Sequence, residues 1–480
     1  MNRQIRRVGI VLMGLFVLLF LQLNYLQVVR RDALADDPRN TRVAVRDFSR
    51  ARGQILSADG TVLAKSVPSD DQFERQREYP TGDLFGHVTG FFSFTYGRTG
   101  VERSYGDELA GRDLGFRNLK DVLVERTVTG DVFLTVDRNL QQLARDTLGD
   151  KRGSVVLLDA TSGAVLALWG FPSYDPNPLA GHDQKAVQSA YQVLDAAPNK
   201  PMQARTYQET FAPGSTFKVV TAAAALDRNP EVAARVYPPL KVLDLPQTTA
   251  TLPNFGGGTC GGALVDLLKV SCNTGFGQMG LDLGAETMHA EAGDFGFNDR
   301  PPIDLPAAAR SVFPSPEEFD QDLPGLAKSA IGQESVRSTP LEMALVAAGI
   351  AHGGSIMRPH VMAEVKDSDG ATVRTYEPSE WKRATTPEVA AQLRDLMINV
   401  VEAGTATRAK VAGAVVGGKT GTAQTTGDNA HAWFLGFGEA GDRKLAVSVI
   451  VESQPEVSEA TGGRVAAPIG GAMLRAGLGL

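Results

Sequence analysis

Three short segments of this sequence carry side chains that could act together: Ser215-Thr216-Phe217-Lys218, Ser271-Cys272-Asn273 and Lys419-Thr420-Gly421, in that order along the chain. In the first, a serine follows Pro213-Gly214 at the mouth of an Ala-rich apolar stretch, and a lysine comes one helical turn later on the same face. A helix N-terminus at that point favours developing negative charge. A serine hydroxyl becomes a nucleophile only with a proton acceptor in reach and donors around the oxyanion. The S-x-x-K spacing alone carries little, because two common residues at a fixed distance recur by chance about once in a chain of this length. Ser379-Glu380-Trp381-Lys382 is such a recurrence, preceding a polar segment and lacking an S-x-N downstream. Taken singly, Ser215 or Ser271 reads as a helix cap, and the glycine after Lys419-Thr420 as a turn. The ordered set, with the one S-x-N and the one K-T-G of the sequence, outweighs those readings.

The hydrophobic pattern predicts a mixed α+β chain to position these groups. Arg30 to about Gly130 is charged and broken by turns such as Ala58-Asp59-Gly60 and Tyr96-Gly97-Arg98, which predicts a small β-rich module. A boundary near residue 130 follows, dividing the chain into 1–29, 30–130 and 131–480. Val132-Phe133-Leu134 reads as a strand leading to Thr135-Val136-Asp137, a cap for a helix through Leu140, Leu143 and Leu148. Gly153 to Trp169 reads as a hairpin around Thr161-Ser162-Gly163. Phe211 to Leu226 reads as a helix buried on nearly every side. Val415-Val416, Ala432 to Phe437 and Leu445 to Val451 read as consecutive antiparallel strands. Arg205 and Asp175 read as structural or solvated charges, His431 as a strand-end residue and Trp433 as core.

Val8 to Val29 carries no charge and spans about 33 Å as a helix, enough for a hydrocarbon core of about 30 Å. A cleaved signal peptide is the competing reading, since Ala33-Leu34-Ala35 has the small-x-small form. Such peptides have apolar cores of only about 7–15 residues, so a retained anchor is expected. Arginines flank both ends of the run, so charge counting does not orient it. The net charge of -7 offers no basic field for nucleic acid. Two cysteines and six histidines without HExxH or CxxC spacing predict no metal.

With these motifs the sequence resembles the penicillin-recognising serine acyltransferases. The likeness extends further. Arg52-Gly53-Gln54-Ile55, Asp59-Gly60, Leu63-Ala64, Gly100-Val101-Glu102, Leu109 and Gly111 are similar to the N-terminal module, of pedestal or dimerisation type, of class B penicillin-binding proteins. Asp159 to Ala167, Pro172-Ser173-Tyr174-Asp175-Pro176-Asn177, Ile331-Gly332-Gln333, Thr339-Pro340-Leu341 and Trp433-Phe434-Leu435-Gly436 are similar to their transpeptidase domain, an antiparallel sheet flanked by helices. The N-terminal module is short for the class and in that resembles the actinobacterial penicillin-binding protein A group more than the larger members. One departure is Glu334, where the family pattern has glycine after Gly332-Gln333; it bears on the shape of that loop.

The resemblance implies a D,D-transpeptidase that cross-links peptidoglycan stem peptides on lipid-linked or nascent glycan, outside the cytoplasmic membrane, and binds β-lactams covalently. It implies Ser215 as nucleophile, Lys218 as its base with a pKa lowered by burial and by Lys419, Ser271 as proton relay, and Asn273 as the group holding Lys218 and the substrate backbone. Lys419 supplies positive charge. Thr420 and Thr422 bind the substrate carboxylate, Gly421 lets the strand approach the ligand, and the N–H groups of Ser215 and Thr422 form the oxyanion hole. No cofactor is implied, and a membrane glycan polymerase is an implied partner. The alternatives are a D,D-carboxypeptidase, which gives the acyl group to water, and a non-catalytic penicillin-binding scaffold or sensor. No glycosyltransferase segment and no deacylating carboxylate of a β-lactamase is apparent. Cys260 and Cys272, 12 apart, are free to form a bridge in an extracytoplasmic body; two buried thiols are the alternative.

Overall fold

A computed structural model of the chain describes residues 2–26, 48–111, 129–424, 430–453 and 461–480. The chain divides into two compact units, Met1–Ala51 with Val67–Gln76, and Arg52–Ser66 with Arg77–Leu480. In the first, one helix runs Asn2–Asn24, is exposed along its length, and is long and apolar enough to cross a membrane. It starts ahead of the uncharged run because Arg3, Arg6 and Arg7 favour helix as well as the apolar residues do. Val29 and Ala33-Leu34-Ala35 lie outside the described residues.

The second unit is built on a five-stranded antiparallel sheet in the order Val415–Gln424, Ala430–Ala440, Arg443–Val451, Gly153–Asp159, Val165–Phe171. The three late strands of the sequence reading thus join the early hairpin, with Val447 opposite Leu157 and Leu157 opposite Ala167. Residues of both parities are buried along Gly153–Asp159. Both faces are therefore covered, which explains a continuous Val-Val-Leu-Leu run in place of alternation. Helices Pro340–Ala351 and Ala466–Leu478 pack on this sheet. Helix Arg138–Leu148 begins where expected, the Asp137 side chain accepting from the N–H groups of Asn139 and Leu140. Val415–Gln424 lies at the edge of the sheet and packs against both helix Pro387–Ala403 and the turn Gly214–Thr216.

Between Ile55 and Leu109 the described chain is less purely β than expected. Short strands alternate with helical turns at Gly86–Thr89, Gly100–Ser104 and Gly106–Leu109. Four or five residues are too few for a 3.6-residue period to show. Strands also pair across residue 130, in the order Thr372–Thr375, Met362–Asp367, Gly130–Leu134, Ile55–Leu56, Val62–Pro68, and Ile55–Leu56 runs parallel to Gly130–Leu134.

The motif residues Arg52 and Glu102 meet. The Glu102 carboxylate is fully buried, accepting from Arg52 Nη2 at 2.9 Å and from Arg77 Nε at 2.6 Å. Arg77 Nη1 also donates to Gly53 O at 2.8 Å. Burial alone would raise the carboxyl's pKa, but the two guanidiniums outweigh it and hold Glu102 below its usual range. We expect Glu102→Ala to cost about 3–5 kcal/mol, because it leaves two guanidiniums buried without a counter-charge; a urea melt showing under 1 kcal/mol would contradict this.

A second buried carboxyl, Glu342, opens helix Pro340–Ala351, just after the Thr339 cap. Burial pushes its pKa up to about 8, from 4.5 for an ordinary glutamate. Between those values the unfolded chain has released a proton that the folded chain still holds. Stability therefore falls as pH rises through this window, and the loss is complete above the folded pKa. Thermal melts from pH 4.5 to 9 should show Glu342→Gln gaining on the parent protein as pH rises; parallel curves would contradict the assignment.

Candidate active site

Ser215 sits in the single helical turn Gly214–Thr216, which feeds through Phe217 into helix Lys218–Arg228. Gly214 has φ 55° and donates its N–H to Gly332 O at 2.8 Å. A Cβ on Gly332, itself at φ 72°, would fall 2.2 Å from Gly214 O, so this contact admits only glycine. Thr216 Oγ1 donates to Pro213 O at 2.6 Å, and buried Phe217 stacks on Phe313. These contacts hold the turn with Ser215 half-buried on the wall of a cleft of about 1270 Å³.

Lys218 points from the next turn into the S-x-N segment. Its Nζ lies 2.7 Å from Asn273 Oδ1, 2.8 Å from Ser271 O and 3.3 Å from Ser271 Oγ. The amine has no solvent exposure, and burial, then the Lys419 charge, pushes its pKa well below that of an ordinary lysine. Lys419 reaches the same hydroxyl from the edge strand, donating to Ser271 Oγ and to Thr420 O at 2.8 Å each. Burial lowers its pKa to about 7. Ser271, Lys218, Asn273 and Lys419 thus form one hydrogen-bonded network beside Ser215.

Ser271 has φ 61° and ψ 44°, the left-handed conformation, at the end of helix Leu264–Val270. Side chains other than glycine adopt it at a cost and need surrounding structure to hold it. Here that structure is plain. Cys272 is bridged to Cys260, with Cα atoms 5.8 Å apart. Asn254 accepts from Thr274 N–H at 3.0 Å and donates to Leu240 O at 2.8 Å. Asn273 Nδ2 donates to Pro253 O at 3.0 Å. Helix Asn273–Leu283 then carries the segment into the core.

On the edge strand, a Cβ at Gly421 would lie 3.0 Å from both Pro213 O and Thr216 Cγ2, so strand and serine turn are in close contact there. Thr420, Gly421 and Thr422 all line the cleft with Ser215, Ser271 and Asn273. The Thr420 hydroxyl is buried and bonds Thr405 Oγ1 at 2.6 Å, while Thr422 is the more open of the two. Thr405 and Asn254 escaped the sequence reading, since each acts through a partner 15 or 20 positions away and carries no local signature. Ser379 is not in this cleft; it precedes strand Glu380–Arg383, and its Lys382 pairs with Asp299. His431 accepts from Ser453 N–H at 3.0 Å, and burial keeps it neutral with a pKa of about 4. Trp433 is buried core, and its Nε1 donates to Ala212 O. Arg205 is a buried structural charge, 2.7 Å from Glu452.

Residues 153–475 match the penicillin binding protein transpeptidase domain, and residues 52–132 match the penicillin binding protein A dimerisation domain. The whole chain aligns at 41% identity with 99% of the peptidoglycan D,D-transpeptidase PbpA of Mycolicibacterium smegmatis. The fold is similar to that of penicillin-binding protein A from M. tuberculosis in its ceftriaxone acyl-enzyme complex, with a TM-score of 0.83 at 36% identity over 90% of this chain and 99% of that one. The penicillin G acyl-enzyme complex of the same protein gives a TM-score of 0.81 at 36% identity over 89% and 100%. Likeness over so much of both chains goes well beyond the three motifs, and the chain belongs to the penicillin-binding protein transpeptidases, in the penicillin-binding protein A group.

Proposed function

We propose that this chain is a peptidoglycan D,D-transpeptidase that works through an acyl-enzyme on Ser215, and that β-lactams acylate the same oxygen. The observation that carries the reading is the desolvated Lys218 amine, held by Ser271 and Asn273, which line one cleft with Ser215. A neutral amine has two N–H groups and one lone pair. The two short contacts, to Ser271 O and Asn273 Oδ1, use both N–H groups and leave the lone pair for a hydroxyl proton.

Ser215 Oγ attacks the penultimate D-alanine carbonyl of a donor stem and passes its proton to Lys218. The oxyanion is met by the N–H groups of Ser215 and Thr422. Ser271, bonded to both lysines, relays the proton to the departing amine, and terminal D-alanine leaves. An acceptor amine then attacks the ester, its proton returns through Lys218 to Ser215 Oγ, and an amide cross-link remains. Asn273 holds Lys218 and the substrate backbone. The substrate carboxylate lies against Thr422 and Thr420 near Lys419, and Gly421 admits close approach of the ligand. The edge strand offers an extended peptide a place to pair.

The substrate's location places the catalytic body on the outer side of the cytoplasmic membrane, with 1–29 as tail and anchor, 30–130 as the N-terminal module and 131–480 as the catalytic domain. A membrane glycan polymerase is the partner that would supply nascent strands.

Fluorescent β-lactam labelling tests the site. Ser215→Ala should abolish labelling and Ser379→Ala should leave it intact; the reverse pattern would overturn the assignment. Lys218→Arg replaces the neutral amine by a guanidinium that supplies no base, so acylation should slow by roughly 10²–10⁴-fold. In the parent protein the acylation rate should rise with pH and reach its plateau well below 10.5, since the neutral amine is the active form. A rate still climbing through the ordinary lysine range would contradict that role.

A further inference from the structure

Glu334 has the backbone shape that glycine favours, with φ 58°. The loop that imposes it is tightly fastened. Gly332 N–H donates to Ser329 O, Gln333 N–H to Lys328 O, Val336 N–H to Gln333 O, and Arg337 Nη1 to Glu334 O. A left-handed glutamate in a fastened loop is an outlier of the kind that accumulates at functional sites. Its side chain lines the same cleft as Ser215, and its carboxylate is two-fifths exposed, with Oε2 3.1 Å from Lys328 Nζ. Among the described residues four cations line the cleft as well, Lys269, Lys328 and the exposed Arg408 and Arg464. Glu334 is thus one of two carboxylates set among these cations, and its loop meets the serine turn through the bond from Gly214 N–H to Gly332 O.

On the reading that the reaction ends with attack by an amine, we propose that Glu334 is a docking residue for the acceptor, drawing its ammonium into the cleft toward the acylated Ser215. Amines of this kind arrive protonated at neutral pH. The docked ammonium gives one proton to solvent. As its nitrogen bonds the acyl carbon, a second proton passes through Lys218 to Ser215 Oγ and the ester C–O bond breaks. Lys328 competes with the incoming cation for the same carboxylate. Asp266, the other carboxylate lining the cleft, lies on an ordinary helical turn 3.5 Å from Lys269 and has no part in docking.

The test uses the full-length protein, a blocked D-Ala-D-Ala donor peptide and glycinamide as acceptor, with transfer and hydrolysis products measured together. Glu334→Gln should raise the apparent KM for glycinamide about threefold at low salt, and added salt should erase the difference. Lys328→Met should lower that KM, and Asp266→Asn should match the parent. A purely structural ion pair would instead shift the Glu334 and Lys328 variants in the same direction, which would overturn the proposal. An unchanged KM in Glu334→Gln, or a shift in Asp266→Asn instead, would also overturn it. If the parent makes no transfer product at any glycinamide concentration, the transpeptidase reading falls as well; transfer with an unmoved KM sinks the docking role alone.

Discussion

Two lysine amines, neither reached by solvent, share one serine hydroxyl: Lys419 Nζ at 2.8 Å and Lys218 Nζ at 3.3 Å from Ser271 Oγ. Two ammonium ions cannot both be held there without a counter-charge, and among the described residues no carboxylate is bonded to either amine. Burial resolves the conflict by discharging Lys218, whose pKa the Lys419 charge lowers further. An ordinary surface lysine is a cation, useless as a base at neutral pH. The same side chain here becomes a base because the fold removes its water.

Much of the surrounding structure serves to keep that arrangement from relaxing. Ser271 would leave its left-handed conformation if it could, and the Cys260–Cys272 bridge, the Asn254 hydrogen bonds and the contact from Asn273 to Pro253 hold it from three directions. The close approach of Gly421 to the serine turn fixes the distance between the edge strand and Ser215. The buried five-stranded sheet supplies the rigid edge, and a nucleophile and base on adjacent turns of one entry segment to a buried helix need no further adjustment.

The chemistry was more legible in the sequence than its supports. S-x-x-K spacing, a buried Ala-rich helix and the late apolar strands are local patterns, and the structure brings them to one cleft as those patterns predict. Thr405 beneath Thr420, Asn254 beneath Thr274 and Arg77 on Glu102 pair residues 15 to 25 positions apart, with no composition or periodicity to mark them. The short helical turns between Gly86 and Leu109 were invisible for a different reason, being too brief to establish a period. The bridge between Cys260 and Cys272, left open against two free thiols, is formed. Glu334 shows the converse case: a left-handed backbone, φ 58°, with no glycine in the sequence to mark it.

The central claim is that Lys218 is neutral at the pH where the protein works. Site-specific 15N NMR of the Lys218 side chain, titrated in the full-length protein with Ser215 unmodified, measures this directly. The account predicts a midpoint well below the 10.5 of an ordinary lysine. An amine that remains an ammonium up to that value would contradict it.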